Sequence, residues 1–146
     1  MSKKLDGIID DANFNKKFRI LWVLKEPNTG NKKVSFDLCN FLQCVACKGK
    51  NYEPSWWKTY GLVAQVSYGI FNGFLPFSDK ILNEEDKNIM AALRKIAVVN
   101  INKQGGGCNA IPSKIRKAYN EKLLDQILND IKPKIIIFGF SDEKTF

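Results

Sequence analysis

Two short segments of this chain carry side chains whose types and spacing suit chemistry. In Leu24-Lys25-Glu26-Pro27-Asn28-Thr29-Gly30 the carboxylate of Glu26 follows a continuous apolar run. A carboxylate at a strand end facing a cleft can orient an attacking water and draw its proton. The plain alternative is an exposed glutamate in a turn, because Pro, Asn and Gly are turn residues. In Asn100-Ile101-Asn102-Lys103-Gln104-Gly105-Gly106-Gly107 the chemistry is recognition. An asparagine side chain presents an amide donor beside a carbonyl acceptor, so it reads a base edge that offers the complementary pair. Asn100 is the principal candidate for base binding, and Asn28 in the first loop joins it. The backbone amides of Gly105, Gly106 and Gly107 can approach a phosphate, with Lys103 adding charge. The segment lacks the spacing of a Walker loop or a dinucleotide fingerprint, so a flexible turn between strand and helix competes with phosphate binding.

The cysteines are a third candidate set. Cys39, Cys44 and Cys47 have the C-x4-C-x2-C spacing of a plant-type two-iron cluster, with Cys108 as a distant fourth, and four thiolates also suit zinc. Residues 36 to 47 read as a helix, however, and positions i, i+5 and i+8 of a helix do not converge. The expectation is reduced, packed cysteines, with no metal and no cofactor. The chain contains no histidine, which removes the commonest general base and excludes Ser-His or Cys-His mechanisms within it. Trp56, Trp57, Tyr60 and Tyr68 lie near Lys50 and Lys58, an arrangement that can stack single-stranded bases. Helical spacing assigns Tyr60 and Tyr68 to a core instead, and leaves one of the tryptophans for the surface.

The elements that must position these residues follow from the apolar pattern. Arg19 to Lys25 reads as a strand buried on both faces, and Ile96 to Ile101 and Lys134 to Gly139 read as two further strands. Helices are expected over Phe36 to Cys47 and from about Trp56 to Phe71. Another should start at Asn83, whose side chain caps a turn containing Glu84, Glu85 and Asp86. A last helix before Lys132-Pro133 carries Leu123, Leu124, Ile127, Leu128 and Ile131, expected on one buried face. Strands separated by helices predict a parallel α/β sheet with right-handed crossovers, whose ligand site lies beyond the carboxyl ends of its strands. Both candidate loops fall there.

The chain has 146 residues, of which 45% are hydrophobic, enough for one domain spanning 1–146. Its formal net charge is +8, the balance expected of a protein that meets a polyanion, although a merely soluble basic surface has the same charge. No apolar run has the roughly 20 residues of a membrane span. The charged start, Met1-Ser2-Lys3-Lys4-Leu5-Asp6, lacks the apolar core of a secretory signal, so no membrane association and a cytoplasmic location are expected.

Several of these segments together carry a family resemblance. They are Ile96 to Lys103, Gly105 to Gly107, Tyr119 to Ile127 and Lys132-Pro133-Lys134-Ile135-Ile136-Ile137-Phe138-Gly139. This stretch resembles the middle of the uracil-DNA glycosylase superfamily, nearest its bacterial and archaeal iron–sulfur branch. Leu24-Lys25-Glu26-Pro27-Asn28 is a looser echo of that branch's first-strand motif, with Lys25 in place of a glycine. The resemblance covers about residues 18 to 140 and implies a three-layer α/β/α fold with a parallel sheet. It also implies that Glu26 activates water, Asn100 reads the pyrimidine edge, and Phe36 stacks on an extruded base, against core packing for Phe36. The partner implied is DNA, single-stranded or a damaged duplex. The branch's first cysteine pair and the superfamily's His-Pro-Ser loop have no counterpart here. The chain reaches Phe146 seven residues after Gly139, and this reads as a fold cut short. Base excision is then expected only in a longer or complemented form, and a protein partner is expected at the C-terminal edge. A non-catalytic nucleotide-sensing or protein-interaction module is the competing expectation.

Overall fold

The computed structural model describes residues 6–25, 27, 36–48, 57–75, 87–103, 113 and 121–139. At its centre are two short strands, β2 (Ile20–Leu24) and β3 (Ala97–Asn100), with every residue buried. Their continuous apolar sequences suit this position, because both faces are covered. A two-residue strand β1 (Gly7–Ile8) lies on one side, and β4 (Ile135–Phe138) on the other. The strand order is β1-β3-β2-β4. β2 runs parallel to β3, with Leu24 opposite Asn100, and parallel to β4, with Val23 opposite Phe138. β1 is antiparallel to β3, so the sheet is mixed rather than wholly parallel as expected from sequence. Two residues are too few to show a strand periodicity, which is why β1 was not foreseen.

Alternate residues of the central strands feed two separate cores. Ile20, Trp22, Leu24 and Val98 pack with residues of α1 (Leu38–Lys48), α2 (Trp57–Phe71), α3 (Lys87–Ala91) and the 3-10 turn Ala92–Lys95. Leu21, Val23, Ala97 and Val99 pack with Leu123 of α4 (Glu121–Asp125) and with Ile127 and Ile131 of the π-helical turn Gln126–Ile131. The indole Nε1 of Trp22 donates to Ser67 Oγ at 3.0 Å inside the first core. This hydrogen bond satisfies two polar groups that burial would otherwise penalise.

Local sequence explains where the helices begin and end. Asp37 caps α1, its Oδ1 accepting from the Asn40 amide at 2.9 Å. α2 stops at Asn72-Gly73, where Gly73 takes φ +84, a left-handed value that closes helices. The π-helical turn closes through the Lys132 amide, which donates to the Ile127 carbonyl at 2.9 Å. Arg19 secures that end: its Nε donates to the Lys132 carbonyl at 2.6 Å and its Nη2 to the Ile131 carbonyl. A guanidinium on terminal helix carbonyls also suits the negative end of the helix dipole.

One expected face is corrected. Leu123, Ile127 and Ile131 are buried, but Leu124 is 37% and Leu128 63% exposed. Residues four apart stay in line through this segment, and its wider final turn keeps them so, leaving the residue after each on a neighbouring face. The expected helix start at Asn83 to Asp86 lies outside the described residues.

Candidate ligand-binding site

The carboxyl ends of β2 and β3 lie side by side. The Ile101 amide donates to the Leu24 carbonyl and the Asn102 amide to the Lys25 carbonyl, each at 2.9 Å. The chain segments leading to both candidate loops are therefore neighbours. Pro27 is buried there, whereas Glu26, Asn28 and the glycines 105, 106 and 107 lie outside the described residues.

Asn100 is the last residue of β3 and is 3% exposed. It stands opposite Leu24 in the parallel ladder. Its Oδ1 is buried and has no hydrogen-bond partner among the described residues. Buried side-chain acceptors are rarely left unpaired, and losing the partner costs on the order of 1–3 kcal/mol. This is the feature of the site that the protein's own packing does not explain.

The backbone beneath Asn100 is held firmly. Its amide donates to Asp6 Oδ2 at 2.9 Å, and the same oxygen accepts from Lys103 Nζ at 2.6 Å. Gln126 Nε2 donates to Asp6 Oδ1 and to the Asp6 carbonyl, both at 3.2 Å. Asp6 is thus a buried carboxylate that gathers β1, the end of β3 and the π-helical turn. Gly7 is needed beside it on two counts. Its φ of +122 disfavours a side chain, and a Cβ there would sit 3.2 Å from Gln126 Nε2. Lys103, expected at a phosphate, directs its ammonium to this carboxylate while keeping 40% of its side chain exposed. Neither Asp6 nor Gln126 was singled out from sequence. The one signal was an acidic residue directly before the apolar Gly7-Ile8-Ile9.

No family model, curated protein or solved structure matches this chain.

Phe36 precedes α1 and is half-buried, its ring 5.2 Å from that of Phe41, which in turn meets Tyr60 at 5.6 Å. This aromatic row packs against the first core, so Phe36 has a packing role. Tyr60 and Tyr68 pack there too, as their spacing implied. Burial pushes the Tyr60 hydroxyl well above its usual titration range. The side chains of Trp56 and Trp57 lie outside the described residues.

Cys39, Cys44 and Cys47 all sit on α1. Cys39 donates its thiol to the Ile8 carbonyl at 3.6 Å. Burial, reinforced by the nearby Asp6 charge, pushes this thiol up to about 12, leaving it a poor nucleophile or ligand. Cys47 is exposed, and Cys108 lies outside the described residues. Among the described residues no three His, Cys, Asp or Glu side chains come together as a metal site. No helix among them is long and apolar enough to cross a membrane.

Proposed function

We propose that this chain is a nucleobase-binding domain of uracil-DNA glycosylase-like type, with DNA as its partner and a three-layer α/β/α arrangement. The observation that carries the reading is the buried Oδ1 of Asn100, unpartnered among the described residues at the carboxyl end of a central strand. In an open α/β sheet this is where ligands bind. A pyrimidine of the uracil type presents an imino N–H beside a carbonyl. The N–H would donate to Oδ1, and the carbonyl would accept from Nδ2. The fixed backbone supports this role, because Asp6 holds the Asn100 amide and so limits the positions the side chain can take.

Lys103 enters as a positioning residue, since its ammonium neutralises Asp6 beneath the Asn100 amide. Excision belongs to a longer or complemented form, in which Glu26 would orient the water.

The test uses a single-stranded oligonucleotide carrying one central uracil and an otherwise identical strand with an abasic position. Asn100→Ala should lower affinity for the uracil strand about tenfold, the worth of one or two buried hydrogen bonds. It should leave the abasic strand unaffected. Equal losses on the two strands, with the variant still folded by circular dichroism, would end the base-reading proposal.

A further inference from the structure

We infer that the opposite end of the sheet, at the amino ends of its parallel strands, is a docking surface for the phosphodiester backbone of a nucleic-acid strand. Each of the three mutually parallel strands is preceded by exposed lysines. Lys16 and Lys17 come before β2, Lys95 before β3, and Lys132 and Lys134 before β4.

These segments are far apart in sequence but are tied together in space. The Asn15 amide donates to the Lys95 carbonyl at 3.0 Å, and the Lys134 amide to the Arg19 carbonyl at 3.1 Å. Lys134 Nζ donates to the Lys17 carbonyl at 3.1 Å, and Arg19 Nε reaches the Lys132 carbonyl. Because the strand order runs β3-β2-β4, the lysines form a row across three adjacent strands about 4.8 Å apart.

The row carries excess positive charge. The two ion pairs found among the described residues, Arg94–Asp10 and Lys103–Asp6, involve none of these lysines. Exposed carboxylates on the flanking segments are Asp11 and Asp130. Among the described residues of these segments, five exposed lysines stand against two exposed acids, in a chain whose net charge is +8.

A line of fixed cations fits a linear polyanion, and releasing its counterions drives association. An anionic membrane is the poorer fit, because interfacial binders set apolar groups beside their cations. Within the row Phe14 is buried, and Phe18 is half-buried with Lys17 Nζ 5.2 Å from its ring centroid.

This surface does not depend on the base-reading proposal, and a strand made wholly of abasic sites separates the two. Such a strand offers phosphates and nothing for Asn100 to read. Its binding to the whole chain should weaken steeply with salt. Replacing two lysines of the row, Lys16→Gln with Lys95→Gln, should make the slope of log affinity against log salt shallower by about 1.4, at roughly 0.7 per phosphate contact. A control pair with the same charge loss away from the row, Lys87→Gln with Lys122→Gln, should leave the slope unchanged. Equal effects of the two pairs would mean that only net charge matters, and would overturn the proposal. So would failure of the abasic strand to bind. Vesicles of phosphatidylserine that bind through the row while the abasic strand does not would assign the surface to lipid instead.

Discussion

Asp6 shows how a single side chain sets the geometry of the candidate site. Its carboxylate accepts from the Asn100 amide, from Lys103 Nζ and from Gln126 Nε2, so its removal takes an acceptor from three donors at once. The Asn100 amide is the costly one, since Asn100 is buried and water cannot readily replace the lost acceptor. Lys103 differs, because its half-exposed head can return to solvent. Asp6→Ala should therefore destabilise the fold by about 2–4 kcal/mol, whereas Lys103→Met, which leaves the buried carboxylate without its cation but with the Asn100 and Gln126 donors, should cost about 1–2 kcal/mol. Urea denaturation of the two variants measures the difference. If Lys103→Met proved as costly as Asp6→Ala, the ion pair rather than the amide contact would be the anchor. Aspartate at position 6 also reaches the proposed base reader only through backbone. Its loss should consequently weaken binding to the uracil strand and the stability of the strand end together.

At the scale of elements, the strongly periodic and continuous apolar segments were legible and the weak ones were not. β2 announced itself because Ile20 to Leu24 is uninterrupted and closed by Pro27; α1 did so through the spacing of Leu38, Leu42 and Val45, all fully buried. β1 was hidden because its two residues pair with β3 only through tertiary contact. The adjacency of the two strand ends that lead to the candidate loops was readable from fold class. The Asp6–Gln126 contact was not, because it joins positions at opposite ends of the chain. Helix phase was half legible. Five apolar residues were expected on one face of the last helix, but two of them, Leu124 and Leu128, face outward. Burial alone separates the outcomes of truncation here. Ile131→Ala, at 1% exposure, should cost about 2–4 kcal/mol by leaving a cavity. Leu128→Ala, at 63% exposure, should stay within about 0.5 kcal/mol. Comparable losses in thermal or urea unfolding would mean that Leu128 is covered and the helix rotated from the position described.

On the scale of the whole molecule, the sheet has a buried centre and two weaker margins, and each proposed surface uses a different end of it. The five residues of β2, at about 3.3 Å each, keep Asn100 roughly 16 Å from the lysine row, so contact with one does not imply contact with the other. Stability should be distributed across the strands rather than along them. β2 is paired on both sides and buried on both faces, while β1 pairs over only two residues. β4 is paired to β2 alone among the described strands, with Ile136 46% and Phe138 47% exposed. Backbone amides open in cooperative units whose free energy follows such burial. Native-state hydrogen exchange should therefore find the amides of β2 and β3 released only with global unfolding. Those of β4, together with the Gly139 amide that donates to Val23, should exchange roughly tenfold faster or more, through a local opening about 1.4 kcal/mol or more below the global one. Adding the uracil-containing strand should slow exchange at Ile101 and Asn102, next to the proposed base reader, without slowing β4. Protection of β4 equal to that of β2 in the free protein would show that this margin is as well covered as the centre, and would overturn the account of β4 as the weaker margin of the described sheet.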